Sequence, residues 1–238
     1  MGSGNERHHA HSIVVSYMTV RRAIGLIGIA MPIVLVGGGC LFADVPLKNN
    51  LSAYYHTPMR DVLVGMLCTL GVFLFCYRGH DRIENWTANF GAVFVLGLAL
   101  LPVDIASDPT HRFSFAGYAH TVCGGGFFLT TAYYALFHFP KTTGPDNGEP
   151  PESHPAERAV LYRLSGAIIL LCLAMMGVYL LLPDGWQAWA DRHYALLWLE
   201  WIAIWSFASA WLIKGQVIFS DLAVHLFSQT QKKLRGSR

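Results

Sequence analysis

AIGLIGIAMPIVLVGGGCLF, residues 23–42, is a run of twenty residues without a single Asp, Glu, Lys or Arg. At ~1.5 Å of rise per residue, such a run is ~30 Å long as a helix, which is the thickness of a bilayer's hydrocarbon core. Arg21 and Arg22 stand directly before it and mark a charged edge. Pro32 and the run Gly37-Gly38-Gly39 predict a kinked or loosened helix. Five more runs of the same kind follow, at about residues 58–77, 88–104, 114–139, 164–182 and 194–213. The composition agrees, with 53% hydrophobic and 13% charged residues among 238, whereas a soluble domain carries about a quarter charged. The expected fold is an all-α integral membrane protein, a six-transmembrane-helix bundle spanning residues 23–215, with no room for a separate soluble domain.

The remaining segments read as edges of that bundle. Residues 1–22 form a polar tail with His8, His9 and His11. The segment 141–159 (KTTGPDNGEPPESHPAERA) is rich in Pro, Gly and acid and reads as a flexible loop. Residues 216–238 are amphipathic and end in the basic stretch Lys232-Lys233-Leu234-Arg235, suited to lying along a membrane surface. The five cysteines lie in apolar runs without metal-ligand spacing and read as small hydrophobes. Alternating the six spans puts 13 Lys and Arg on the side of the termini and 4 (Lys48, Arg60, Arg112, Arg192) on the other. The positive-inside rule then predicts both N- and C-termini in the cytoplasm. The expected location is a cell membrane, the inner membrane if the source is bacterial. The bilayer is the expected partner, with no nucleic acid.

Polar groups concentrate on the other side. Ser52-Ala53-Tyr54-Tyr55-His56-Thr57-Pro58-Met59-Arg60-Asp61 leads into the second run, with Thr57 and Pro58 suited to start a helix. Asp104 ends the third run. His120 lies about seven residues into the fourth, and Glu200 about six into the sixth. Asp108, His111, Asp184 and His193 sit in the outer loops. Ionisable groups inside spans are costly and usually face the bundle interior. Delivery from four spans to one depth predicts a polar cavity at the extracytoplasmic face. The inner half looks far more apolar, with Lys214 and His138 at its edge, where they snorkel. The run Gly124-Gly125-Gly126 below His120 predicts a close helix contact.

Two chemistries fit this set. His56 and His120 with a carboxylate offer imidazole and oxygen ligands for zinc, which makes a bound water nucleophilic near neutral pH. Asp61 or Glu200 would then act as general base, with Ser52, Tyr55 or Arg60 steadying an oxyanion. Without a metal, Arg60 grips a carboxylate or phosphate head, and Tyr54, Tyr55, Trp198 and Trp201 line an apolar pocket for a lipid or other amphiphile. The expected function is a metal-dependent hydrolase of such a molecule. The alternatives are a ligand-binding sensor or transport component, and a structural subunit whose polar groups are interhelical bonds.

The pattern S-x-Y-Y-H-T-P-x-R-D-x-x-V-G (Ser52 to Gly65), with L-F-x-Y-R-G (Leu74 to Gly79), Ala119-His120 and Trp198 to Gly215, resembles a group of small uncharacterised bacterial multi-pass membrane proteins. Ser52-x-x-x-His56 also resembles the motif of the alkaline ceramidases and progestin/adipoQ receptors, membrane hydrolases that hold zinc. That resemblance implies Ser52, His56 and Asp61 as site residues. Those proteins have seven spans and a His-x-x-x-His pair in the last, and this chain has no such pair.

Overall fold

A computed structural model describes residues 2–79, 81–104, 114–141 and 155–216, with side chains from Met18 onward. Among these residues there is no strand, so the all-α expectation holds. Helix α1 (Gly2–Phe42) is followed by a 3-10 helix (Ser52–His56), α2 (Arg60–Cys76) and α3 (Arg82–Leu100). Helix α4 (Phe115–Tyr133) continues through a π turn (Tyr134–His138) into α5 (Phe139–Lys141). The chain closes with α6 (Pro155–Leu181), the short α7 (Asp184–Arg192) and α8 (Ala195–Lys214). Neighbouring long helices pack in the order α1, α2, α3, α4, α6, α8 and back to α1, which closes a ring.

Four helices are long and apolar enough to cross a membrane: Met18–Phe42 within α1, then α3, α6 and α8. The outward faces carry Leu26, Val34, Val72, Phe90, Val93, Leu129, Leu171 and Met175, all exposed. An apolar exterior of this extent belongs in lipid, and these are the features of an integral membrane protein. Helix α2, at 17 residues, is shorter than those four.

Helix limits differ from the hydropathy reading where local bonds outrank apolarity. Helix α1 begins at Gly2, so the segment expected as a polar tail is helical; no proline precedes Pro32, and the helix runs through Pro32 itself. Helix α3 starts at Arg82, six residues before its apolar run, because the Asp81 side chain accepts the Glu84 N–H at 2.6 Å and caps it. Helix α6 starts at Pro155, inside the expected loop, where a first-turn proline loses no bond; residues 142–154 of that loop and 217–238 of the basic tail lie outside the described residues. Helix α2 starts at Arg60, after Thr57 has used its hydroxyl to accept the Met59 N–H at 3.1 Å.

Buried residues follow the helical period. In α6 they are Arg158, Tyr162, Ser165, Gly166, Ile169 and Cys172, one stripe at steps of three and four with Gly166 beside Ser165. In α3 the inner stripe is Glu84, Ala88, Gly91, Ala92, Val95 and Ala99, mostly small. Small residues let helices approach where lipid supplies no hydrophobic drive. A Cβ on Gly126 of α4 would meet Phe94 of α3 at 2.7 Å, and one on Gly28 of α1 would meet Ala208 of α8 at 2.8 Å. The glycine run below His120 thus seats α4 against α3, as its composition predicts. At the ring's centre lies a void of about 30 Å³, lined by residues that include Met31, Leu67, Leu98, Phe127 and Phe207. No lining side chain is polar, and a void of that character stays dry.

The end of the bundle away from the 3-10 helix corrects the expectation of an apolar inner half. Arg21, Glu84, Arg158 and Lys214 are each at most 1% exposed there, and His138 is buried with them. The Arg21 guanidinium donates to the Tyr77 hydroxyl (3.0 Å), and Tyr77 donates to a Glu84 carboxylate oxygen (2.7 Å). The guanidinium also lies 5.6 Å from the Tyr77 ring centre. Tyr134 donates to the Glu84 carbonyl (2.5 Å). Arg158 donates to the Ile213 carbonyl (2.7 Å) and Arg22 to that of Gly215 (2.7 Å). These two cations therefore cap the C-terminus of α8, where the helix dipole favours positive charge. Lys214 and His138 do not snorkel outward; around this end Phe139 meets Trp211 edge-on, and Tyr134 packs tilted against Trp211 and His138.

Removing one member of this chain leaves a buried charge without its neighbour. Glu84→Ala is expected to cost about 3–5 kcal/mol and Tyr77→Phe about 0.5–1.5 kcal/mol, read as lowered unfolding midpoints in detergent. Equal midpoints for the Glu84→Ala and wild-type chains would refute the assignment.

Candidate functional site

Pro102 decides the geometry of the site. A residue before proline is pushed out of the helical region, and Leu101 is extended at φ −95°, ψ 129°, ending α3 at Leu100. The carbonyls of Leu101 and Val103 are thereby left outside any helix. His120 of α4 meets the first through Nδ1 (2.8 Å), and His56 at the end of the 3-10 helix meets the second through Nε2 (2.7 Å). A carbonyl only accepts, so these nitrogens carry the protons. Nε2 of His120 and Nδ1 of His56 remain as the lone-pair nitrogens. His120 is buried and His56 exposed.

Asp104, two residues beyond Pro102, turns to the start of α4. Its carboxylate accepts from the Ser114 hydroxyl and from the Ser114 N–H (3.1 Å). Ser114 in turn caps α4 by accepting the Gly117 N–H at 2.9 Å. A side chain on Gly117 would collide with that carboxylate, which explains glycine there.

Glu200 serves the other end of the 3-10 helix. One carboxylate oxygen accepts the Leu51 N–H at 2.6 Å, at the residue that precedes Ser52. The short helix Ser52–His56 is therefore a strap. Its first residues are held by α8 and its last by the α3–α4 corner. Tyr54 lies in its middle, fully buried, and a Cβ on Gly39 would stand 3.2 Å from its ring. The glycines at the end of α1 make room for the strap.

The remaining candidates sit around it. Arg60 is exposed in the first turn of α2; its guanidinium donates to the Tyr55 hydroxyl (3.0 Å) and lies 4.7 Å from the Tyr55 ring centre. Tyr55 also meets the His56 ring edge-on at 5.4 Å between centres. Asp61 is exposed beside Arg60, and Ser52 is half-buried. Trp201 stacks on Trp198 at 5.7 Å and meets Trp205 edge-on at 5.6 Å, within an aromatic ladder along α8.

Thus Tyr55, His56, Arg60 and His120 gather at one corner, while Ser52 and Glu200 meet at the other end of the strap. Asp108 and His111 lie outside the described residues. Among the described residues, no group of three His, Cys, Asp or Glu is placed to hold a metal ion. A catalytic zinc takes three protein ligands, and the imidazole pair falls short of that. Arg21, Glu84 and Arg158 at the opposite end escaped the sequence reading. The signal for them was periodic, since each falls on the buried stripe of its own helix.

Comparison of the chain with family models, with curated proteins and with solved structures gives no match.

The strap's dependence on Glu200 is testable. Glu200→Ala is expected to speed hydrogen exchange at the Leu51 amide about 2–10-fold, the loss of a hydrogen bond worth ~0.5–1.5 kcal/mol. Glu200→Gln keeps an accepting oxygen and is expected to restore much of the protection. Unchanged exchange in Glu200→Ala would show that the strap is held otherwise.

Proposed function

We propose that this chain is a six-span membrane protein with both termini in the cytoplasm, and that its strap end is an extracytoplasmic mouth that binds the anionic head of an amphiphile. In this reading the protein is a sensor rather than a transporter. Among the described residues, the opposite end holds Arg21, Arg22, Arg78, Arg82, Lys141, Arg158, Arg163 and Lys214, against Lys48, Arg60 and Arg192 at the strap end. That imbalance supports the orientation. The segment 115–141 is continuously helical and α2 is a member of the ring, between α1 and α3, which supports counting both as spans.

The observation that carries the binding role is the posture of Arg60. Its guanidinium is exposed, held by the Tyr55 hydroxyl and ring, and set at the positive end of α2 beside His56. A cation fixed in this way loses little side-chain freedom on gripping a phosphate or carboxylate. The dry apolar void at the bundle's centre argues against a permeation path. A nanodisc-embedded chain is expected to bind an alkyl phosphate, with Arg60→Ala weakening it about 10–100-fold and Arg60→Lys recovering part. Equal affinity for the Arg60→Ala chain would end this reading.

A second reading makes the His56–His120 pair part of a zinc site of a hydrolase, as the Ser-x-x-x-His resemblance implies. It is favoured by His120, whose Nδ1–H is tied to a backbone carbonyl while Nε2 keeps its lone pair, the arrangement common among metal-ligating histidines. Metal analysis decides it. About one zinc per chain, lost in His120→Ala, is expected if the reading holds, and no bound zinc in the purified wild-type chain rejects it.

A further inference from the structure

Helix α7 is built inside-out for a water-facing helix. Its inward stripe is Gln187, Ala190, Asp191 and Tyr194, and its outward stripe is Trp186, Trp189 and His193. The polar side chains Gln187 and Asp191 turn toward the protein, while Asp184 and Arg192 at the two ends of the helix are exposed. Asp191 accepts from the Tyr179 hydroxyl at 2.8 Å, and Gln187 donates to the Tyr179 carbonyl at 3.2 Å. The aromatics turn away, with Trp186 63% and Trp189 50% exposed. They form a ladder, with Trp186–Trp189 ring centres 6.4 Å apart and Trp189–His193 4.5 Å apart.

The surface on either side says what covers this ladder. Helix α6 ends on exposed Val178, Leu180 and Leu181, and α8 opens with exposed Trp198 and Ile202. Both are helices long and apolar enough to cross a membrane. The α7 ladder is therefore continuous with surfaces that face acyl chains, at the end of the spans, where those chains give way to headgroups. Tryptophan suits that boundary, because its ring is apolar and its N–H seeks a polar partner. A nine-residue helix of this pattern is too short to span.

We infer that α7 lies in the membrane plane at the headgroup–acyl boundary of the strap-end leaflet, with Trp186 and Trp189 inserted into lipid. The Tyr179–Asp191 and Tyr179–Gln187 bonds fix α7 to the end of α6, so this insertion sets the depth of the strap end in the bilayer.

The test compares the wild-type chain with the Trp186→Phe/Trp189→Phe variant in phosphatidylcholine vesicles. The difference between their emission spectra isolates these two residues. That component is expected to be quenched about twofold or more by lipid brominated high on the acyl chain relative to lipid brominated near its methyl end, and to be little quenched by aqueous iodide. Quenching by iodide with none from either lipid would place α7 in water and overturn the inference. Protection from all three quenchers would mean that another protein surface, such as a second copy of the chain, covers the ladder, and would overturn it equally. An unchanged elution and melting profile is expected of the variant, since phenylalanine keeps the apolar ring, and would show that it is folded.

Discussion

A charge buried in an apolar bundle has no water to turn to, and every donor it carries must be met by protein atoms. The chain Arg21–Tyr77–Glu84 meets part of that requirement and ties three helices together in doing so. Arg21 comes from α1, Tyr77 from the end of α2 and Glu84 from the first turn of α3. The hydrogen bond from Tyr134 brings in the π turn after α4, and Arg158 links α6 to the last carbonyls of α8. Every long helix of the ring has a polar tie at this end. Apolar packing by itself is only weakly directional in lipid, so these ties help decide which helix neighbours which.

The other end is organised around a loop rather than a cluster of charges. Glu200 and the α3–α4 corner hold the two ends of one 3-10 helix, and buried Tyr54 seats it on the glycines that close α1. The polar groups converging there are largely spent on backbone partners: Glu200 on Leu51, His56 on Val103, His120 on Leu101, Asp104 on Ser114. What stays available includes Arg60 with the Tyr55 ring beneath it, Asp61 beside Arg60, and one nitrogen on each imidazole. Under the proposal above, this corner recognises a charged head rather than housing a catalytic centre.

Much of the fold was legible in residues. The run at 23–42 and its successors placed α2, α4 and α8 to within a few residues, whereas α1, α3 and α6 begin 21, 6 and 9 residues before their runs. Asp81 shows why: a side chain accepting the Glu84 N–H starts α3 at Arg82, and hydropathy is blind to such a bond. The site was legible as a set of residue types at one end. Its division into two groups was not, because Ser52 and His56 are near in sequence but lie at opposite ends of a strap whose anchors come from α8 and from the α3–α4 corner.

The sequence by itself determined an all-helical chain with apolar faces of bilayer length, a polar end gathered around Ser52 to Asp61, and the heavier share of Lys and Arg at the other. These follow from composition and from the 3.6-residue period, which are properties of short stretches. Tertiary structure alone decided that the end thought apolar holds Arg21, Glu84 and Arg158 buried together, and that Glu200 fastens a loop rather than facing His56. Both depend on pairings between residues 50 to 150 positions apart, and such pairings are set only when helices choose their neighbours.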